Sequence, residues 1–137
     1  MKYLKLFSLI ILCGLLVSGC CFDKEQAGIL FNKEPITKDT VMHSSRDFEV
    51  GQPIYYLFYS PQKLETEFIR VQIFKVGDNV PRGGYNIIMT NEYRIMKQNM
   101  YYYYNNFVIH SKGSYVMQVF STDNLMNPLA KNFFFVH

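Results

Sequence analysis

Few residues in this chain have the type and spacing that chemistry requires. The three histidines, His43, His110 and His137, share no metal-ligand spacing, so each is expected on a surface or at a strand end. Glu65 and Glu67 lie two apart, on one side of an extended chain, as a carboxylate pair would be. Lys63 and Arg70 flank them, and that setting predicts a solvated connector instead. Asp78-Asn79 and Asp123-Asn124 offer oxygen ligands, but both fall where hairpin tips are expected, and Asp and Asn serve turn geometry directly. Calcium at either place would need several more converging oxygens. Gly83-Gly84 after Arg82 invites comparison with a phosphate cradle, yet Tyr85-Asn86-Ile87-Ile88 follows as strand and not as a helix start. The sequence holds no Gly-x-Ser-x-Gly, Walker loop or His-Glu-x-x-His. No side chain has the neighbours that would activate a nucleophile or a general base. The expectation is a protein that is not an enzyme and carries no metal or cofactor.

Aromatic residues are the exception to this sparseness. Eleven tyrosines and twelve phenylalanines are more than the interior of so small a domain holds. Tyr101-Tyr102-Tyr103-Tyr104 is a run of four, followed by the hydrogen-bonding Asn105 and Asn106. On a strand, alternate members face opposite ways, so either Tyr101 with Tyr103 or Tyr102 with Tyr104 points outward. Outward rings are rigid and amphipathic, the kind of surface used to stack sugars or to anchor a protein interface. The competing reading is that both faces are covered and the rings serve packing alone.

The elements that position these residues read as β-strands. Phe48-Glu49-Val50 leads into a turn at Gly51-Gln52-Pro53, then Ile54 to Tyr59, ended by Ser60-Pro61-Gln62. Phe68 to Phe74 alternates, with Ile69, Val71 and Ile73 on one face and Arg70 and Gln72 on the other. Gly77 to Gly84 is a loop by every local rule. Tyr85–Thr90 with Tyr93–Met96 is a strand pair or one bent strand; Tyr102–His110, Ser114–Ser121 and Asn132–Val136 follow. The Leu64-Glu65-Thr66-Glu67 stretch is the one credible helical turn. About seven short strands without helical periodicity predict an all-β antiparallel sandwich. An up-and-down barrel would need more chain than is present.

Lys112-Gly113-Ser114-Tyr115-Val116-Met117-Gln118-Val119-Phe120 resembles the penultimate strand of immunoglobulin-like domains, in which Gly-x-Tyr opens the strand and the tyrosine tucks into a corner. The resemblance, over roughly residues 45 to 137, implies that Tyr115, Met117 and Val119 face the core and that Val116, Gln118 and Phe120 face outward. Met117 stands where antibody domains keep a cysteine, and the chain has no tryptophan. It is therefore similar to the bacterial Ig-like or fibronectin-III-like group.

The N-terminus adds a location. Lys2 and Lys5 precede an apolar run from Leu6 to Val17 that is too short to span a bilayer, which takes about 20 residues. Val17-Ser18-Gly19-Cys20 resembles the lipobox of bacterial lipoproteins. That likeness implies cleavage before Cys20 and a diacylglycerol thioether on its sulfur, usually with N-acylation (palmitate, for example). Two or more acyl chains hold a protein on a bilayer stably. Cys13 lies in the leader and Cys21 beside the anchor, so the body has no disulfide. The expected layout is a leader over 1–19, a lipidated tether over 20–44 with Ile29-Leu30-Phe31 as a candidate edge strand, and the sandwich over 45–137. Without Lys2 and Lys5, twelve Lys and Arg face eleven Asp and Glu, a net charge of +1. A near-neutral body lacks the electrostatic footprint of a nucleic-acid binder. Cys21 in place of Asp after the anchor leans, by the same resemblance, towards the outer membrane where there are two. The expected function is a lipid-anchored, non-catalytic envelope module that binds a protein or glycan through Tyr101, Tyr102, Tyr103 and Tyr104. The alternatives are an assembly lipoprotein of a larger envelope complex, or a small inhibitor or hydrolase.

Overall fold

The computed structural model describes residues 26–77, 86–97 and 100–137. The leader, Cys20, Cys21, Asp78-Asn79 and Gly83-Gly84 lie outside the described residues. The described chain forms eight strands: β1 Gly28–Asn32, β2 Asp47–Phe48, β3 Pro53–Tyr59, β4 Phe68–Val76, β5 Asn86–Arg94, β6 Tyr102–Val108, β7 Gly113–Ser121 and β8 Ala130–Val136. They make two sheets, β1-β3-β6 and β2-β8-β7-β4-β5, antiparallel except for the short parallel pair β2–β8. Only β4–β5 and β7–β8 connect neighbours within a sheet; every other connection crosses between the sheets. The molecule is a small Ig-like β-sandwich.

Period-two alternation explains the layers. Ile54, Tyr56 and Phe58 of β3 point into the space between the sheets, as do Ile69, Val71 and Ile73 of β4 and Tyr115, Met117 and Val119 of β7, all fully buried. Phe134 on β8 is the hub. Its ring centroid lies 4.9 Å from Phe31 and 5.5 Å from Phe107 in the smaller sheet, and 6.2 Å from Phe48 and 5.4 Å from Tyr115 in the larger. One hydrogen bond also crosses the interlayer: the Asn132 Nδ2 donates to the Ile29 carbonyl at 2.7 Å.

The tyrosine corner is present. The Tyr115 hydroxyl donates to the Ser111 carbonyl at 2.6 Å and lies 2.7 Å from the Ser111 Oγ. A buried phenol is thereby satisfied where β7 begins. Gly113 opens the strand at φ +148°, and a Cβ there would strike the Lys75 side chain.

Two local expectations need correction, and a third is decided. Leu64 to Glu67 is not a helical turn but extended chain, with Leu64 and Thr66 buried and Glu65 and Glu67 exposed. Thr66 is tolerated inside because its Oγ1 donates to the Phe68 carbonyl at 2.7 Å. Of the two readings of Tyr85 to Met96, a strand pair or one bent strand, the described part is a single strand, β5. Phe120 lies on the outward side of β7 but is buried, and it shares a hollow with Leu125, Met126 and Pro128 of the β7–β8 connection.

Candidate functional site

The outer face of the smaller sheet carries the aromatic residues that the interior does not take. In β3 the residues alternating with the core set are Tyr55, Leu57 and Tyr59; in β6 they are Tyr102, Tyr104, Asn106 and Val108. The antiparallel register sets Leu57 against Tyr104 and Tyr59 against Tyr102. The Tyr102 and Tyr104 rings run nearly parallel, 17° apart with centroids at 6.4 Å. Tyr59 lies down across β1 because its partner in register is Gly28, where a Cβ would run into the phenol.

The wall of the site comes from the β1–β2 connection. Asn32 Nδ2 donates to the Thr40 carbonyl at 2.6 Å, and the Ser45 N–H donates to the Phe31 carbonyl at 2.9 Å, so the connection folds back on β1. Thr37 and Thr40 close a turn through reciprocal N–H to hydroxyl bonds of 2.8 and 3.2 Å, while the Thr40 hydroxyl donates to the Pro35 carbonyl at 2.6 Å. That turn presents Ile36, Lys38 and Val41 to the tyrosines. Between wall and sheet lies an open groove of about 540 Å³, bounded also by Leu57, Tyr59, Tyr101, Tyr102 and Tyr104. Its lining includes one cation, Lys38, the hydroxyls of Thr37 and Ser60, and no carboxylate, imidazole or thiol. Such a surface can stack and donate hydrogen bonds; it offers no proton-transfer pair.

The four tyrosines singled out in the sequence therefore divide. Tyr101, Tyr102 and Tyr104 are exposed and line the groove. Tyr103 turns inward, its ring stacked on Tyr93 at 4.9 Å and 28° and its centroid 6.3 Å from Tyr56. Burial holds the Tyr103 pKa above the ordinary tyrosine value, with the Asn105 amide working against the shift and Tyr93 adding to it. Asn105 is engaged, donating to the Tyr103 hydroxyl at 2.9 Å, and does not line the groove. Sequence reasoning missed Tyr59, Leu57, Ile36, Lys38 and Val41. The alternation of β3 carried the signal for the first two, but the wall depends on the tertiary Asn32–Thr40 bond and has no local signature.

The remaining chemistry-bearing residues stand apart. His43 and His110 are exposed, and the His137 Nε2 lies 3.0 Å from the Asp47 carboxylate across the β2–β8 pair. Glu67 pairs loosely with Arg94 at 3.7 Å beside Glu65, Lys63 and Lys97, in a hollow of about 680 Å³ with charges of both signs. A further apolar row, Phe133, Val116, Phe74 and Ile87, crosses the outer face of the larger sheet in register. Its Phe133 ring is covered by the Arg46 guanidinium at 4.7 Å, and Phe74 and Ile87 share a hollow with Leu125, Met126 and Pro128 of the β7–β8 connection. Among the described residues no helix is long and apolar enough to cross a membrane.

No protein-family model and no curated protein matches the chain. Solved structures do resemble it. The soluble domain of PmoD from Methylocystis sp. superposes with a TM-score of 0.52 at 11% identity, covering 81% of this chain and 90% of that one. A superoxide reductase (neelaredoxin) from Ignicoccus hospitalis gives 0.50 at 8% identity, covering 88% and 89%. An immunoglobulin-like protein from Pseudomonas aeruginosa gives 0.49 at 12%, covering 82% and 90%. At such identities the likeness concerns the fold alone.

Proposed function

We propose that this protein is a lipid-anchored, non-catalytic module of the bacterial cell envelope that holds a protein or glycan partner in the tyrosine groove. The observation that carries the reading is the groove itself: exposed Tyr59, Tyr102 and Tyr104 with half-buried Leu57 on one sheet face and Tyr101 beside them, walled by a hydrogen-bonded turn, with no acid–base pair among them. Exposed phenols cost little to hold, since the strands fix their backbones and each ring has only two side-chain torsions to order. The anchor rests on the Val17-Ser18-Gly19-Cys20 pattern, and the chain would reach its partner from a membrane surface.

The test replaces Tyr59, Tyr102 and Tyr104 together by alanine in the full chain. Binding is then measured separately to isolated envelope glycan and to fractionated envelope proteins. Loss of anchoring rings at an interface typically costs about 2 kcal/mol or more, roughly 30-fold in affinity. The variant should lose binding by at least that factor while its melting temperature stays near that of the parent. Equal binding by parent and variant would remove the groove from the function.

A further inference from the structure

A sandwich has open sheet edges, and a strand with unpaired N–H and C=O groups is a template for another strand. Three of the four edges here carry protection. β1 is flanked by the folded-back connection, which is bonded to Phe31 and Asn32 through Ser45 and Thr40. β2 is two residues long. β5 carries Glu92 and Arg94, and its pairing with β4 breaks register at Ile73/Phe74. β6 is different. Its seven residues, Tyr102-Tyr103-Tyr104-Asn105-Asn106-Phe107-Val108, include no charge, proline or glycine, and its pairing with β3 is free of bulges.

Two hydrogen bonds fix which groups of β6 point away from β3. The Tyr101 carbonyl accepts from the Ser60 N–H at 2.7 Å, so the odd-numbered residues face β3. The Asn106 N–H instead donates to the Asn105 Oδ1 at 2.8 Å, as an outward-facing amide would. The backbone groups of Tyr102, Tyr104, Asn106 and Val108 therefore line the open edge. Their side chains stand on the exposed outer face.

We infer that β6 pairs antiparallel with β6 of a second copy of this chain, joining the two smaller sheets into one. A two-fold axis at Asn105 sets Tyr102 opposite the second copy's Val108 and Tyr104 opposite its Asn106. In that register every outward-facing backbone group meets an outward-facing partner over the full strand, and Tyr103 meets Phe107 on the inner side. The register favours a copy of itself, since it sets aromatic rings against β-branched or aromatic partners, Tyr102 on Val108 and Tyr103 on Phe107, and neutrality permits it. In a two-fold pairing any charge on the strand would be brought near its own like, and this strand carries none. The Asn105 side chain must release the Asn106 N–H for the pairing to form, so it guards the edge in the single chain. The interface leaves the tyrosine groove on the outer face and does not depend on what fills it.

The test uses the full chain with a photo-crosslinking residue, Val108→p-benzoylphenylalanine. Irradiation should give a covalent dimer whose cross-link maps to Tyr102 or its immediate neighbours. Tyr104→Lys with Asn106→Lys places like charges opposite each other on both sides of the axis. That double variant should cut the adduct about tenfold or more, since opposed like charges destabilise cross-strand pairs. Tyr104→Lys with Asn106→Glu places opposite charges there and should restore the adduct. Both variants alter exposed positions, and circular dichroism melts should match the parent. No dimer adduct, an adduct mapping elsewhere, adduct to a different protein only, or no rescue by the Lys/Glu pair would each overturn the inference.

Discussion

Among single residues, Tyr56 is the most exacting. It is fully buried between Tyr103 and Phe107, and its hydroxyl, facing the Tyr93 phenol, makes no hydrogen bond of good geometry. A buried hydroxyl without a partner costs about 1–3 kcal/mol, so Tyr56→Phe should raise stability at neutral pH by about 1 kcal/mol or leave it unchanged. Burial, with Tyr93 and Tyr103 adding to it, pushes the Tyr56 ionisation far above the ordinary tyrosine range. The unfolded chain would ionise this phenol near pH 10 while the folded one keeps its proton, so its contribution is intact below pH 10 and lost as pH rises beyond it. Thermal melts from pH 8 to pH 11 should show the parent losing more stability than Tyr56→Phe. Asparagine works the other way, by satisfying groups. Asn32, Asn105 and Asn132 each accept the N–H of the following residue, at 2.9, 2.8 and 2.9 Å, and each donates its amide elsewhere. Nothing in the local sequence marks those three among the other asparagines, because their partners are brought close only by the fold.

Strands that bury one face were legible in the sequence; irregular segments were not. β4 and β7 alternate along most of their length, and the inward residues expected from them are all buried, with Phe74 and Phe120 buried as well from the outward side. The consequence for β7 is sharp. Met117→Asp would bury an unpaired carboxylate against Ile73 and should unfold the protein. Gln118→Asp, one residue on and facing outward between Gln72 and Lys131, should shift stability by less than about 0.5 kcal/mol in urea unfolding. Leu64–Glu67 misled because four residues cannot separate a period of 2 from one of 3.6, and only the Thr66 hydroxyl bond explains the buried polar position. The parity of the Tyr101–Tyr104 run was likewise open. A run of identical residues has no pattern, and it is the β3–β6 register that turns Tyr103 inward.

For the molecule as a whole, the decisive feature is the position of β8. It comes last of the eight strands in sequence, yet sits inside the larger sheet between β2 and β7 and supplies the hub Phe134 and the Asn132 bond to β1. A chain ending at Leu129 should therefore show neither cooperative melting nor near-ultraviolet dichroism, and Phe134→Ala should cost about 3–5 kcal/mol. The bond from Asn132 to Ile29 joins residues 103 positions apart, and the two sheets are stitched by such distant pairings. High contact order of this kind slows folding to the millisecond-to-second range. It also means that the interior cannot close until almost all of the described chain has been made. A nascent polypeptide built this way holds no closed core until β8 has been made, so chains arrested before Ala130 should be cut by protease throughout, while chains extended past Val136 should resist it.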